Sequence, residues 1–350
     1  MNLETDLSRE DALRLHVLLA DDLHAVRIDE GTMTLHALTP KGEARVGLHR
    51  NCRAELYLMR VRELLGGHAL GSPSGYPVHL RQWTRMGQAN TKNLEALLKL
   101  GQPEAVVAVA QAPTLNEELA RRVWWAQPTM DVARYMLGHA TVCEGVMGIV
   151  LAEFVIEHLA FEEDPIQAMN SVRAVLGAGV LEATARTQLW AKARRRPHYF
   201  IGFLEHHPDD LPAEQTRAIP AYVVAHIAAR LTVDDPWARS FSRCYSASGQ
   251  SFLHAAELAL EKPPAHEAVS LLLDILGGYF AAVRGLTIPP DFDADLKRAA
   301  AAMSTLATIS NADATPILSK TTAVGALMRR HLEPLFQPLL AHIRLLRGAK

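Results

Sequence analysis

Aromatic residues are scarce in this sequence. Phe, Trp and Tyr make up 6% of the 350 residues, whereas hydrophobic residues of all types make up 49%. A core built mainly from Leu, Ala and Val suits packed helices better than a β-sandwich, which needs more Thr, Tyr and Phe. The hydrophobic content is also too high for a disordered chain. The composition therefore predicts a mainly α-helical protein.

The sequence also lacks an excess of either charge, with 36 basic and 38 acidic side chains and a net charge of −2. A protein that neutralises many phosphates normally carries a clear basic excess. The short basic run Arg194–Arg196 lies at the end of a predicted helix, where cations are favoured by the helix dipole. We therefore expect no nucleic-acid partner.

Cysteine is rare, and Cys52, Cys143 and Cys244 lie far apart in the sequence. An odd number without a CxxC pair predicts neither a disulfide framework nor a zinc or iron–sulfur site. Small buried hydrophobic residues are the favoured interpretation. Cys52 is the candidate reactive thiol, because arginines lie on both sides of it, Arg50 and Arg53, and would favour its thiolate.

The sequence shows neither a signal peptide nor a membrane span. Its beginning, MNLETDLSREDALRL, has no basic start, apolar run or small-residue cleavage site. The most apolar long stretch, Val142–Leu159, contains Glu144, Glu153 and Glu157, so it predicts a buried core helix. By elimination we expect a cytoplasmic protein.

Residues 1–90 predict a small α+β domain. A first amphipathic helix is expected over Asp6–Ala20, with Ser8 and Asp11 spaced as a capping box. A second helix is expected over Arg53–Leu65 and ends at Gly66–Gly67. Three β-type runs between these helices predict an antiparallel meander, and a fourth run follows the second helix. The four predicted strands are Ala25–Asp29, Thr32–Leu38, Glu43–Leu48 and Val78–Thr84.

Residues 91–350 predict a second, helical domain. Short helical patterns alternate with short breaks, which favours stacked antiparallel helices in an irregular HEAT-like α-solenoid or helical layer. Pro197–Pro220 is the best linker candidate and is the place where this domain would be subdivided. Pro334 and Pro338 are expected to kink or divide the last helix, Thr321–Leu346.

No motif for catalysis, metal binding or nucleotide binding is convincing, and no cofactor is expected. Gly66–Ser72 has the glycine spacing of a P-loop but lacks its Lys, which favours a helix stop and turn. Gly177–Gly179 lacks the third glycine of a dinucleotide-binding fingerprint and predicts a helix C-cap. Ser248–Ser251 is not a GxSxG motif and predicts a loop without catalytic partners. Glu205–Asp210 is rich in ligand-type side chains, but a solvated loop is favoured over a metal site.

Arginine and tryptophan supply the binding candidates. Residues 41–85 hold eight bases and three acids, and Arg81, Trp83 and Arg85 would share one strand face, with Tyr76 nearby. Two guanidinium groups beside an indole suit an anion or an acidic protein surface. The favoured alternative is that these bases pair internally with the acidic first helix. Trp124 and Trp125 face about 100° apart on a helix, so one is expected in the core and one at a rim or partner surface.

Three longer stretches carry a family resemblance. They are LLGGHALGSPSGYPVHLRQWTRMGQ (Leu64–Gln88), LLKLGQPEAVVAVAQAPTLNEELARRVWWAQP (Leu97–Pro128) and YFIGFLEHHPDDLPA (Tyr199–Ala213). They resemble the DsrS family, soluble proteins encoded with the reverse-acting dissimilatory sulfite reductase system of sulfur-oxidising bacteria. The similarity runs from Leu7 to at least Ala213. It implies a cytoplasmic accessory protein of dissimilatory sulfur metabolism, and it brings no reaction, cofactor or catalytic residue.

Three functions from different classes are consistent with these observations. The leading hypothesis is an interaction or regulatory protein that binds protein partners of the sulfur-oxidation machinery. The second is a thiol-based enzyme or sulfur carrier that uses Cys52 or another thiol. The third is an anion-binding sensor that uses Arg81, Trp83 and Arg85.

Overall fold

The computed structural model of the chain describes residues 7–71, 91–213 and 217–348. The structure is 67% helical, and the described residues contain eighteen α-helices and one three-stranded antiparallel sheet near the N-terminus. The prediction of a mainly α protein with an N-terminal α+β unit is confirmed. The chain divides into two compact units, Met1–Glu157 and His158–Lys350. The domain boundary predicted near residue 90 adjoins residues 72–90, which lie outside the described residues, and it stays a prediction.

The first unit begins with helix α1 (Arg9–Leu19), the sheet and helix α2 (Ala54–Leu70). The sheet consists of β1 (Ala25–Asp29), β2 (Thr34–Thr39) and β3 (Gly42–Gly47) in sequence order. Six helices then follow: α3 (Thr91–Leu98), α4 (Pro103–Ala110), α5 (Glu117–Ala126), α6 (Met130–Leu137), α7 (Ala140–Cys143) and α8 (Val146–His158).

The meander is confirmed: β1 has its predicted limits, and the limits of β2 and β3 differ from the predicted ones by one or two residues. A two-residue turn at Pro40–Lys41 sets the register, because Thr39 pairs with Gly42 across it. Alternate side chains then face a core that contains residues of both α1 and α2. The sheet residues buried in this core include Val26, Leu35 and Ala37, and the predicted fourth strand, Val78–Thr84, lies outside the described residues.

Helix α2 continues through Gly66–Gly67, so the predicted stop at these glycines is wrong. Val61 and Leu65 are fully buried just before them, and this packing offsets the cost of about 1 kcal/mol for each helical glycine. The helix ends where Gly71 adopts a φ of +67°, the left-handed conformation that glycine allows at a helix end.

The second unit consists of ten α-helices with 3₁₀ turns at Leu159–Phe161, Pro197–Tyr199 and Ala281–Val283. Helix α14, at Ala247–Glu261, packs against four other helices of this unit and is buried along most of its length. The remaining helices are α9 (Pro165–Ala178), α10 (Ala183–Ala193), α11 (Phe200–His206), α12 (Ala221–Leu231), α13 (Pro236–Tyr245), α15 (His266–Tyr279), α16 (Ala294–Thr308), α17 (Asn311–Leu318) and α18 (Gly325–Arg347).

Three expectations for this unit are corrected. The first part of the predicted linker, residues 197–206, is helical, with Tyr199–Leu204 buried, and Trp190 packs edge-on against Phe200 at a centroid distance of 4.8 Å. Ser248–Ser251 belongs to α14 and is not a loop. Helix α18 is not divided at Pro334 and Pro338, and both prolines lie on its exposed side. The other alternative, a kink at these prolines, stays a prediction. The C-cap predicted at Gly177–Gly179 is confirmed, since Gly179 ends α9 with a φ of +68°.

The apolar stretch Val142–Leu159 forms three pieces, the end of α7, helix α8 and a 3₁₀ turn, and is not one buried helix. Leu151 and Val155 of α8 are buried, but Val146 and Ile149 are exposed on its other side. Among the described residues, no helix is both long enough and apolar enough to cross a bilayer.

Candidate functional site

The outer face of the sheet carries a row of basic side chains. Arg27 of β1 lies opposite His36 of β2, and His36 lies opposite Arg45 of β3. Directly opposed residues on one face lie about 5 Å apart, so the three side chains form a line across the sheet. Arg45 is the most exposed of the three, at 71%.

The carboxylate of Glu43 contacts all three side chains of this row. Its Oε1 accepts hydrogen bonds from His36 Nδ1 at 2.8 Å and from Arg45 Nε at 3.2 Å, and Arg27 Nη2 lies 3.5 Å away. Its Oε2 accepts a hydrogen bond from Trp125 Nε1 at 3.3 Å. The hydrogen bond from His36, followed by those from Trp125 and Arg45 and the charge of Arg27, lowers the pKa of Glu43 to about 2. Glu43 is therefore ionised at any physiological pH.

Trp125 connects helix α5 to this row. The guanidinium of Arg27 lies over the indole ring, 4.7 Å from its centroid, and Arg27 Nη1 donates to the Trp125 carbonyl oxygen at 3.3 Å. The neighbouring Trp124 faces another direction and packs edge-on against Phe154, with centroids 4.8 Å apart. Both tryptophans are half-buried, and a role of either one at a partner surface stays a prediction. The two tryptophans do not form one site.

The other Arg/Trp candidates were Tyr76, Arg81, Trp83 and Arg85. All four lie in residues 72–90, outside the described residues, and their binding role stays a prediction. Several arginines that are described do pair with carboxylates of the same unit. Arg62 Nη2, for example, lies 2.6 Å from Glu30 Oε1, while the Arg14–Glu10 pair lies within α1.

A buried carboxylate links the first helix to the loop before α2. Asp11 is fully buried, and its Oδ2 accepts hydrogen bonds from the Tyr57 hydroxyl and, at 2.6 Å, from the His49 backbone N–H. Its Oδ1 accepts from His49 Nδ1 at 3.1 Å, which leaves the other ring nitrogen of this 64%-exposed histidine free to face solvent. Ser8 Oγ caps α1 by accepting from the Asp11 backbone N–H.

The capping box predicted for Ser8 and Asp11 is therefore half right. Ser8 caps the helix as expected, but the Asp11 side chain turns to Tyr57 and His49. Burial alone would raise the pKa of Asp11, but the hydrogen bonds from Tyr57, His49 and Ser8 outweigh it and hold this pKa below its usual value. Burial and the Asp11 hydrogen bond raise the pKa of Tyr57. The cluster holds a negative charge inside the first unit.

The three cysteines differ in their surroundings. Cys244 is fully buried, and burial raises its pKa to about 12. Burial also raises the pKa of Cys143, whose Sγ lies 3.2 Å from the Leu137 carbonyl oxygen. Cys52 is half-buried, and Arg60 Nη1 lies 3.6 Å from its Sγ. The guanidinium beside Cys52 thus comes from α2, eight residues along the chain, a neighbour that adjacency in sequence did not indicate.

The ligand-rich segment Glu205–Asp210 is only partly a loop, because Glu205, which is half-buried, and His206, which is exposed, end helix α11. Each of its three acids has its own arginine partner, which disperses the carboxylates. The pairs, at 2.5–3.0 Å, are Glu205–Arg173, Asp209–Arg243 and Asp210–Arg186. Over the described ranges, no group of three or more His, Cys, Asp or Glu side chains is placed to hold a metal ion.

Helix α12 exposes an apolar face. Only Val223 and Ile227 are buried, although nearly the whole helix is apolar. Its one arginine, Arg230, is held in a two-oxygen contact with Asp291 at 2.7 Å. The exposed face of this fully described helix therefore carries no charged side chain of its own, although the Tyr222 hydroxyl on it contacts the Asp293 carboxylate. The exposed face comprises Ala221, Tyr222, Val224, Ala225, Ala228, Ala229 and Leu231.

A scan against protein-family models found no match, and searches of the curated proteins and of the solved structures found none either.

The basic row and the face of α12 were not found by reading the sequence. For the row a signal existed, because a two-residue turn at Pro40–Lys41 fixes His36 opposite Arg45. For α12 no such signal exists, since an apolar helix pattern does not tell which face the rest of the protein covers.

Proposed function

We propose that this protein is an accessory, protein-binding component of cytoplasmic dissimilatory sulfur oxidation and has no catalytic activity of its own. The pathway comes from the resemblance of Leu64–Gln88, Leu97–Pro128 and Tyr199–Ala213 to the DsrS family. The role as a binding protein is supported by the dispersal of the reactive side chains: among the described residues, carboxylates pair with arginines or hydrogen-bond donors at separate places.

The observation that carries the proposal is the uncovered apolar face of α12. Tyr222 and Val224 are 55% and 51% exposed, and Val233, just beyond the helix, is 75% exposed. Single exposed hydrophobic residues are ordinary, but a contiguous set on one helix face marks an interaction surface. Water contact with this face costs free energy that a partner would recover.

The spacing of the face indicates what kind of partner it takes. Ala221, Val224, Ala228 and Leu231 are separated by three, four and three residues, the spacing of positions that meet a second helix. The small alanines allow a helix backbone to approach closely. The partner surface is therefore an amphipathic helix of a sulfur-oxidation protein, seated with its apolar side on α12.

The test compares capture by the wild-type chain with capture by the double variant Val224→Glu, Leu231→Glu. Bait protein is incubated with an extract of sulfur-grown cells of a sulfur-oxidising bacterium, and bound proteins are identified by mass spectrometry. We expect the wild type to retain proteins of the reverse dissimilatory sulfite reductase system and the double variant to lose them. Two buried carboxylates at an interface cost several kcal/mol, or more than a hundredfold in affinity.

The matched control is Leu13→Glu, which makes the same chemical change at an exposed leucine on α1. It is expected to retain the same proteins as the wild type. Recovery of no sulfur-oxidation protein above background, or equal recovery by the double variant, contradicts the proposal. Turnover of a small sulfur compound by the pure protein contradicts the absence of catalysis.

A second candidate function, a sulfur carrier, is favoured by the Arg60 guanidinium beside Cys52. The Cys52 thiolate would attack a sulfane sulfur of polysulfide, form a persulfide and release a polysulfide that is shorter by one sulfur. Intact-mass and peptide spectrometry after incubation with polysulfide would then show one added sulfur on Cys52 and none in Cys52→Ser. Unmodified wild-type protein removes this candidate. The anion sensor built on Arg81, Trp83 and Arg85 stays a prediction, and a thermal shift with sulfite or sulfate tests it.

A further inference from the structure

The outer edge of β3 is open, because within the described ranges no further strand pairs with it. Helix α1 contacts β3 on the core side of the sheet, and helices α3 and α5 contact β1, the other edge strand. Gly42, Glu43, Arg45 and Gly47 of β3 are all exposed. An exposed strand edge presents backbone donors and acceptors that can pair with another chain.

The hydrogen-bond pattern of the hairpin shows which residues of β3 face outward. Leu48 N–H donates to the Met33 carbonyl at 2.8 Å, and bonded pairs alternate along an antiparallel ladder. Ala44 and Val46 therefore bond to β2. The backbone groups of Glu43 and Arg45 point away from the sheet, toward the open edge.

We propose that β3 pairs with β3 of a second copy of this chain, antiparallel and symmetric about Ala44. In this register Glu43 lies opposite Arg45 of the second copy, and Arg45 lies opposite Glu43 of the second copy. Each such pair consists of two outward-facing residues, so it exchanges two backbone hydrogen bonds. The two three-stranded sheets become one continuous sheet.

Charge selects this register over its neighbours. Two neighbouring registers also keep outward-facing residues opposite one another. The register symmetric about Arg45 places Arg45 opposite Arg45, and the register symmetric about Glu43 places Glu43 opposite Glu43. Like charges directly opposite each other destabilise a strand pair, and opposite charges stabilise it. The segment Gly42–Gly47, GEARVG, is thus complementary to its own reverse, as a two-fold interface requires.

The surroundings of the edge allow this contact. Arg45 uses only its Nε for Glu43 in its own chain, so its terminal nitrogens are left to reach the second copy. Gly42 and Gly47 at the ends of β3 have no side chains to obstruct an approaching strand. The four donors around Glu43 keep it ionised, which maintains the charge that the opposing arginine meets.

Sedimentation velocity of the full chain, over concentrations up to about 0.2 mM, tests the proposal. The wild type is expected to dimerise with increasing concentration. Arg45→Glu leaves only acids at the two pairing positions, and Glu43→Arg leaves only bases. Each is expected to weaken dimerisation by roughly tenfold or more, and an equal mixture of the two restores it, because every opposed pair is then attractive again.

Arg121→Glu, at another exposed arginine of the same unit, makes the same charge change and is expected to leave the dimer unaffected. Circular dichroism verifies that each variant is folded. If Glu43→Arg does not fold, Arg45→Glu and the double exchange Glu43→Arg, Arg45→Glu carry the test, since the double exchange restores the pairing. A wild type that is monomeric throughout overturns the proposal. A dimer unaffected by Arg45→Glu also overturns it.

Discussion

Tyr57 donates its hydroxyl hydrogen to the buried carboxylate of Asp11, although 46 residues separate them in the sequence. The same carboxylate oxygen accepts the His49 backbone N–H. The Asp11 side chain of α1 is thus hydrogen-bonded both to the start of α2 and to the loop that precedes it. A buried ionised group is retained only where donors replace the water it has lost, and here Tyr57 and His49 supply them.

Tyr57→Phe is expected to lower the free energy of unfolding by about 1–3 kcal/mol, because Asp11 keeps its burial and loses a donor. Urea-induced unfolding followed by circular dichroism measures the change. Tyr135→Phe removes the same hydroxyl from an exposed tyrosine, and it is expected to change stability by no more than about 0.5 kcal/mol. Equal effects of the two substitutions would show that the Tyr57–Asp11 contact adds nothing.

The stability supplied by Asp11 is expected to decrease in acid. Its pKa is lower in the folded than in the unfolded chain, so its contribution is present above the unfolded value of about 3.9 and is lost as the pH falls through the folded value. The free-energy difference between the wild type and Asp11→Asn should be constant from about pH 7 to 5 and shrink below about pH 4. A difference that persists unchanged to about pH 2.5 contradicts the depressed pKa.

Two adjacent glycines of α15 are expected to respond in opposite ways to a methyl group. A Cβ added at Gly277 would lie 2.0 Å from the Ile309 carbonyl oxygen, whereas one added at Gly278 meets nothing within 4 Å. Gly277→Ala should therefore destabilise by about 1–3 kcal/mol, since backbone must move. Gly278→Ala should be neutral or stabilise by up to about 1 kcal/mol. Thermal unfolding of both variants measures this, and a similar loss in both would refute the close approach of Ile309.

The cysteines are expected to react with iodoacetamide in a fixed order at about pH 8. Cys52 should be labelled first, because it is half-buried beside Arg60. Cys143 should follow slowly, and Cys244 should react only in denaturant, because burial raises its pKa to about 12. Peptide mass spectrometry over a time course gives the order. Labelling of Cys244 in folded protein at the rate of Cys52 would be incompatible with its burial.

Features that depend on neighbouring residues could be predicted from the sequence. The Ser8 cap, the Pro40–Lys41 turn and the glycine end at Gly179 each follow from a few adjacent side chains, and the structure contains all three. Features decided by packing could not. Gly66–Gly67 stays helical because buried residues of the preceding turns hold α2 in place, and residues 197–206 are helical because their aromatic side chains fill the core of the second unit.

In the candidate sites, too, features set by neighbouring residues could be predicted from the sequence and features set by packing could not. Helix geometry predicts that Trp124 and Trp125 face different directions. It does not predict their partners, which come from distant elements: Phe154 for Trp124 and Glu43 for Trp125. Asp11 fits a local capping pattern in the sequence. Its side chain nevertheless bonds to Tyr57 and His49, which only the folded chain brings next to it. An exposed helix face such as that of α12 is defined by what the rest of the protein leaves uncovered, which a linear pattern does not contain.

The Pro40–Lys41 turn has a consequence for sequence variation in this hairpin. A single residue inserted there would shift β3 by one position against β2 and exchange its two faces. Glu43 and Arg45 would then point into the interior, and Ala44 and Val46 would point to water. Relatives that keep this charge pattern are therefore expected to vary the composition of the turn freely and to conserve its length.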